Sequence, residues 1–307
     1  MLILLFICFT RAESLTVDEF FNARSVNVGF ALLKTSPDPI NLSLGDAGTA
    51  GYSSASNFII NPASPSFIKE KSVLFNYRYS LSAINVSYIS IQSKLLGGEI
   101  AFSTGYSASD TIPLRNELPT SEHLGLYRFS SFTTSLSYSR EVVSGVYAGL
   151  LGRSISEFSF DLAKTSFVAG AGLVMEFQSV RGFSAGISLL NIGTRVRYDE
   201  TSVDYIIPPF TLRAGLRENY RFSDKIETTV YVDFIKVNDQ KYKISLSNEL
   251  MLLENFLVRA GYIFNDETRF FSLGIGMKTE RLRIDYAVAP YMYNLGIDNS
   301  ISLTYNF

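Results

Sequence analysis

The 307 residues are 47% apolar and only 18% charged, against about 25% charged residues in ordinary soluble domains. Beyond the N-terminal residues no run of 18 apolar residues occurs, so no helix is available to cross a bilayer, and the net charge of -2 argues against a nucleic-acid partner. Two classes remain: a large soluble β protein, or a barrel whose strands each show half their residues to lipid.

Residues Met1 to Phe9 form an apolar run that contains the single cysteine, Cys8. Thr10 and Ala12 follow at the small-residue positions of a cleavage site, so residues 1–12 read as a secretory signal peptide. The plainer alternative is a buried N-terminal strand. No Lys or Arg precedes the apolar run, which is consistent with a start codon further upstream. Cleavage removes Cys8, so the mature chain is expected to form no disulfide and no thiolate metal site.

Residues 13–72 are of a different character. Asn41 to Gly51 is small and glycine-rich, and Asn61-Pro62-Ala63 follows. Gly45, Gly48 and Gly51 permit tight turns and close backbone approach, and Pro62 fixes φ and removes a donor. An irregular linker is the simplest account. However, Phe58-Ile59-Ile60 and Phe67-Ile68 need burial, and the lumen or mouth of a barrel offers it. We therefore expect residues 13–72 to be a hatch or plug, and residues 73–307 to be the barrel.

From Val73 onward, 14 alternating segments tile the chain: 73–81, 85–95, 98–108, 131–142, 146–158, 166–177, 183–193, 210–220, 227–237, 242–252, 256–264, 270–279, 282–291 and 299–307. Most are 9 to 13 residues long, the length at which tilted strands cross a bilayer and well beyond the 5–6 residues typical of globular strands. Phe132, Thr134, Leu136 and Tyr138 alternate with Ser135, Ser137 and Ser139, and Leu282, Ile284, Tyr286 and Val288 with Arg283, Asp285 and Ala287. Leu212, Ala214 and Leu216 likewise oppose Arg213 and Arg217. Placing Arg213 on lipid at mid-membrane would cost about 2–4 kcal/mol, so the apolar set is expected outward. Segment 85–95 alternates poorly around Tyr88, Ile89 and Ile91. Connections supply a further test: the even ones are all short, and the long ones (Ser109 to Ser130, Thr194 to Pro209, Met292 to Asp298) all fall on odd positions. Outer-membrane barrels have this parity of short periplasmic turns and long external loops. With 18 Tyr, 24 Phe and no Trp, the interfacial girdles must be built from Tyr and Phe.

The last segment carries Ile301, Leu303, Tyr305 and Phe307 on one face. An alternating strand with Tyr305 and a terminal Phe307 resembles the signal by which bacterial barrels are recognised by the barrel assembly machinery. The expected fold is thus an all-β transmembrane antiparallel barrel of about 14 strands with an N-terminal hatch, in the outer membrane of a Gram-negative-type bacterium, with outer-membrane lipid around it.

The Leu44 to Ala50 element, Leu-Gly-x-Ala-Gly-x-Ala, followed by Asn61-Pro62-Ala63 and the first barrel strand, resembles the PorV/PorQ group among barrels similar to the FadL fatty-acid transporter. Leu189 to Gly193, Leu257 to Tyr262 and Leu282 to Tyr286 are similar to segments such proteins carry at matching places. Phe58 to Ile60 depart from the family, which has acidic and aromatic residues before Asn61. The resemblance implies 14 strands, a hatch marked by Gly45, Gly48, Asn61, Pro62 and Ala63, and a role in export or surface attachment of proteins, as in type IX secretion, with secretion-system components or secreted proteins as partners.

Catalytic chemistry is poorly supplied. His123 is the only histidine and falls in a long loop, where a solvated side chain is the default. Gly274-Ile275-Gly276 is strand interior rather than a phosphate loop, no EF-hand spacing surrounds Asp38, Asp46, Asp266 or Glu267, and neither metal nor cofactor is expected. The inward charges Arg78, Glu99, Arg153, Glu176, Arg213, Arg217, Asp233, Glu249, Arg259, Arg283 and Asp285 mix both signs, so pairing across the lumen and with the hatch is favoured over an ion-selective ring. An export accessory is the leading reading. The alternative is a FadL-like transporter of small hydrophobic molecules, with an apolar pocket lined by Phe58, Ile59 and Phe67. A simple diffusion pore comes third.

Overall fold

The computed structural model describes residues 27–80, 83–115, 124–159, 162–177, 180–197 and 205–307. The signal-peptide reading at residues 1–12, with Cys8, and the loop residue His123 lie outside the described residues.

Among the described residues eighteen strands follow one another. They are β1 (Ser72–Ser80), β2 (Ile84–Leu95), β3 (Gly98–Ser109), β4 (Ile112–Leu114), β5 (Gly125–Tyr127), β6 (Ser130–Val143), β7 (Val146–Ser159), β8 (Leu162–Glu176), β9 (Phe183–Gly193), β10 (Val196–Arg197), β11 (Tyr205–Ile206), β12 (Thr211–Ser223), β13 (Ile226–Val237), β14 (Lys243–Leu252), β15 (Phe256–Phe264), β16 (Phe271–Lys278), β17 (Leu282–Pro290) and β18 (Ile297–Asn306). Fourteen of them form a closed antiparallel barrel, and the pairs β4–β5 and β10–β11 are small separate sheets in two of the long loops. Closure is made by β18 lying against β1, with Phe75 opposite Leu303 and Val73 opposite Tyr305. The barrel has no open edge, as hydrocarbon surroundings require.

Side-chain facing follows the sequence alternation. Leu303 is 48% exposed while its neighbour Ser302 is 2% exposed, and Arg213, Arg259 and Asp285 are buried inside. Ile89 and Ile91 face out and Tyr88 faces in. The irregular segment is thus a regular strand with a large inward aromatic, seated against the flat surface of Gly105. Among the described residues the register is continuous except for three irregularities: two beside turns, at Arg221/Ser223 and Glu141/Val143, and one in mid-wall between Ala169 and Ala171 of β8. There β9 carries two residues, Leu190 and Asn191, against the single Gly170, a β-bulge in which Asn191 adopts φ 60°.

One end of the barrel carries the short turns and the other the long loops, with β4–β5 and β10–β11 among them. These are the periplasmic and external ends of an outer-membrane barrel. Residues 27–68 run between them inside the lumen. Val28 bridges Ile207 at the loop end, and Phe307 N–H donates to Lys71 O at the turn end (3.0 Å), where the hatch becomes β1. Two five-residue helices, α1 (Pro39–Ser43) and α2 (Ser64–Ile68), lie on opposite walls. The first packs on β15 to β18 and the second on β3, β6, β7 and β8. Asp38 caps α1 by accepting Asn41 N–H (2.8 Å). Its other oxygen accepts the hydroxyls of Tyr52 (3.2 Å), Ser54 (2.6 Å) and Ser56, which holds the hatch together internally.

Candidate functional site

A plug of irregular backbone inside a barrel presents many carbonyls and N–H groups that must be paired. The serines and asparagines lining the lumen pair them. Ser188 Oγ donates to Ile60 O (2.8 Å), Ser137 Oγ to Pro62 O (3.2 Å), Ser245 Oγ to Leu44 O (3.1 Å), Ser272 Oγ to Ser43 O (3.1 Å), and Asn76 Nδ2 to Pro37 O (3.1 Å). These small polar residues hold the hatch backbone in place of water.

Glycines of the wall provide the space. A side chain at Gly186 would strike Thr49 O, one at Gly149 would strike Pro62 O, and one at Gly172 would strike the Asn61 amide. Gly261 and Gly274 play the same part against Leu44 and Ser43 on the opposite wall. Strand glycines of this kind mark close backbone approach; in the sequence Gly274 reads as strand interior and Gly261 falls in a family-like segment, but none of the five was given this part. Their inward position in every case was the available signal. Of the residues that were singled out, Gly45 lies against Gly261 with φ 58°, and Gly48 donates its N–H to Asp233 (3.1 Å). Asn61 donates to Thr49 O (2.7 Å) and Leu173 O (3.0 Å), and its Oδ1 accepts Ala63 N–H (3.0 Å). The Asn-Pro-Ala element thus joins the glycine-rich middle of the hatch to its later part and ties both to β8. Tyr305 and Phe307 lie outside the barrel at the turn end, edge to face with centroids 5.0 Å apart.

Charged groups complete the attachment. Asp233 accepts Thr49 N–H (2.9 Å) and Oγ1–H (2.5 Å) and lies 3.5 Å from Arg213, whose guanidinium also reaches Asp46 O. Arg259, wholly buried, bridges Glu249 (2.5 Å) and Asp285 (2.9 Å), and Arg283 adds a second contact to Asp285 (2.8 Å). Arg78 reaches Asp298 (4.0 Å). At the loop end Lys34 pairs with Asp239, Asp46 with Arg269, and Lys243 with Asp266 (2.6 Å). Burial would raise the pKa of Asp266. The charge of Lys243 and the N–H groups of Thr268 and Arg269 outweigh it and hold the carboxyl down at about 2. Most inward charges are therefore cross-linked rather than arranged in a ring of one sign. Glu176 instead sits exposed at the turn end, and Arg217 lies over the Phe67 ring (5.8 Å).

The expected pocket of Phe58, Ile59 and Phe67 is not a single site. Phe58 and Ile59 pack with Phe30 and Leu32 against Val86, Tyr88, Leu151, Ile155 and Leu190 near the loop end. Phe67 sits at the other face of the hatch against Tyr147 (5.5 Å). The turn of α2 between them carries Phe67 toward the opposite end of the barrel. Among the described residues a cavity lies on each side of the hatch. One of about 60 Å³ lies toward the loops, lined by Leu33, Ile59, Leu190, Ile235, Arg153 and Arg213 among others. One of about 400 Å³ opens at the turn end among Arg217, Glu227, Tyr231, Glu249 and Arg283. Among the described residues no group of His, Cys, Asp and Glu is placed to hold a metal.

No protein-family model matches the chain, and no curated protein matches it. Solved structures share its fold. The toluene transporter TodX of Pseudomonas putida superposes with a TM-score of 0.60 over 87% of this chain and 97% of that one, at 10% identity. The CymD monoaromatic hydrocarbon channel gives 0.58 over 91% and 99%, at 14% identity. At such identities the likeness is one of fold, and the PorV/PorQ resemblance gains no family match. A closed barrel with an apolar exterior and a hydrogen-bonded perimeter is an outer-membrane protein of a Gram-negative-type bacterium.

Proposed function

We propose that the chain is a non-enzymatic outer-membrane channel for small, predominantly apolar molecules. The observation that carries this reading is the apolar cluster at the loop end, where Phe30, Leu32, Phe58 and Ile59 of the hatch meet Tyr88, Leu151, Ile155 and Leu190 of the wall. An apolar surface shared between plug and wall is a path that a modest hatch displacement opens to an apolar solute. The fold supports the reading, since the solved barrels that share it are described as a toluene transporter and a monoaromatic hydrocarbon channel. The adjoining cavity, at about 60 Å³, is well under the roughly 150 Å³ of a cavity that holds benzene, so passage requires the hatch to shift.

The test uses that requirement. Ser66 Oγ and Ser139 Oγ stand 2.9 Å apart across the boundary of hatch and wall, so Ser66→Cys with Ser139→Cys can lock α2 in place. Uptake of a radiolabelled monoaromatic hydrocarbon should fall on deletion of the protein and in the oxidised double variant, and recover on reduction. Uptake unaffected by deletion would remove the proposal.

One observation favours a second reading. The lumen is crossed from end to end by a firmly bonded hatch, which suits a barrel acting through its loops in protein export, as the PorV/PorQ resemblance implies. Purification from outer membranes with no secretion component or secreted protein bound would count against it.

A further inference from the structure

The cavity toward the loops contains an unbalanced charge. Five cations line it: Lys34, Arg153, Arg213, Lys241 and Lys243. Four of them have an acid at hand: Asp239 for Lys34, Asp233 for Arg213 (3.5 Å), Glu267 for Lys241 (2.8 Å) and Asp266 for Lys243 (2.6 Å). The single acid in the lining, Asp46, is held by Arg269. Arg153 has no acid partner among the described residues. It is only 7% exposed. Its Nε donates to Ser135 Oγ (2.9 Å), its Nη1 reaches Asn191 Oδ1 at 3.5 Å, and its Nη2 is buried with no partner. The nearest carboxylate along β7, Glu157, is occupied by Ala31 N–H (3.1 Å).

A guanidinium removed from water without a counter-charge is costly, and interiors normally supply one. A planar carboxylate is the group that matches its paired N–H donors. The neighbouring hydroxyls have already donated, Thr35 to Leu32 O (2.8 Å), Ser36 to Asp46 (2.5 Å) and Thr211 to Pro209 O (2.8 Å), so Arg153 is the cation of the lining whose charge is left for an incoming anion to balance. The apolar remainder of the lining, Leu33, Ile59, Leu190 and Ile235, suits the short hydrocarbon part of such a group. A volume of about 60 Å³ suits a short carboxylate better than a long-chain one.

We propose that this cavity is a binding site for a small monocarboxylate anion, held by Arg153 at the junction of hatch and wall. The site goes beyond the channel reading and stands apart from it. Equilibrium binding can be absent while hydrocarbon uptake is normal, and uptake can be absent while the anion binds.

The experiment is fluorine NMR of trifluoroacetate with the full mature barrel in a non-ionic detergent, in buffer free of carboxylates. Saturable binding is expected. Arg153→Met, which keeps the side-chain bulk, should weaken it by at least about tenfold, and Arg153→Lys by less. Acetate should displace the probe at a concentration at least about tenfold lower than octanoate or chloride. Absence of saturable binding to the native protein would mean that water alone occupies the site, and the proposal would fall. Binding unchanged in Arg153→Met, or displacement by octanoate or chloride as effective as by acetate, would also overturn it. The competition arm uses native protein only, so it decides the matter even if Arg153→Met does not assemble.

Discussion

At Gly186 a Cβ would overlap Thr49 O, a backbone atom of the hatch that has no rotamer by which to move away. Gly186→Val should therefore separate hatch from wall while leaving the strand pairing of β9 with β8 and β12 intact. Overpacking in a tight interior costs about 1–3 kcal/mol. Limited proteolysis of the folded barrel should show cleavage within residues 27–68 in the variant and protection in the native protein, with unchanged heat-modifiable migration. Asp233 makes the complementary test. Its carboxylate accepts three donors from Gly48 and Thr49 and faces Arg213. Hydrogen bonds to charged groups contribute about 1.5–3 kcal/mol, and Asp233→Asn also leaves Arg213 without its counter-charge. The thermal midpoint of the detergent-solubilised barrel should fall by several degrees, and Asp233→Glu should recover little because the site is closed around the shorter side chain. The sequence showed Asp233 and Arg213 as inward residues by alternation alone. It did not show that their common partner is Thr49, 184 positions from Asp233, since no local pattern encodes a contact at that separation.

The wall strands were legible because a spanning strand repeats one strict instruction, apolar outward and small or polar inward, over eight or more residues. The expected segment 256–264 coincides with β15 (Phe256–Phe264), and 183–193 with β9 (Phe183–Gly193). The strands β4, β5, β10 and β11 were missed, being two or three residues long and too short for period-2 alternation to register. The helices α1 and α2 escaped for the same reason, with five residues each and no full amphipathic repeat. The loop between β15 and β16 is held by one titratable group. Asp266 accepts the N–H groups of Thr268 (2.8 Å) and Arg269 (3.1 Å) and pairs with Lys243, and Arg269 in turn grips Asp46 of the hatch. Its pKa in the folded chain, about 2, lies below the ordinary aspartate value near 3.9. A depressed carboxylate pKa adds stability that is fully present above the unfolded value and lost as pH falls through the folded one. Loop 265–270 should thus stay ordered at neutral and mildly acid pH and loosen between about pH 4 and 2. Lys243→Met should move that transition upward. An NMR titration of the Asp266 carboxyl would show it, and a midpoint unaltered by Lys243→Met would remove Lys243 as the main cause.

At the scale of the whole molecule, closure rests on β18 meeting β1 over eight residue pairs from Ser72↔Asn306 to Tyr79↔Asn299, and parity of the connections already put both ends of the barrel on one side. Sequence could not say whether Phe307 contributes to that closed state or to the process that reaches it. Its environment separates the two. The side chain is 75% exposed and touches the Tyr305 ring, while the backbone N–H, which any residue supplies, donates to Lys71 O (3.0 Å). Substitutions at so exposed a position usually change stability by no more than about 0.5 kcal/mol. If Phe307 served only packing, Phe307→Asp would be almost silent. If it serves recognition during assembly, the same substitution should leave the thermal midpoint of protein refolded into detergent unchanged, yet sharply lower the amount of folded barrel recovered from outer membranes. Tyr305→Ala should behave similarly but more weakly, since the 37% exposed ring also packs on β17, where it lies opposite Leu282. Equal membrane levels of Phe307→Asp and native protein would leave the terminal aromatic with neither role. A matched fall in both midpoint and membrane level would assign it to the folded state instead.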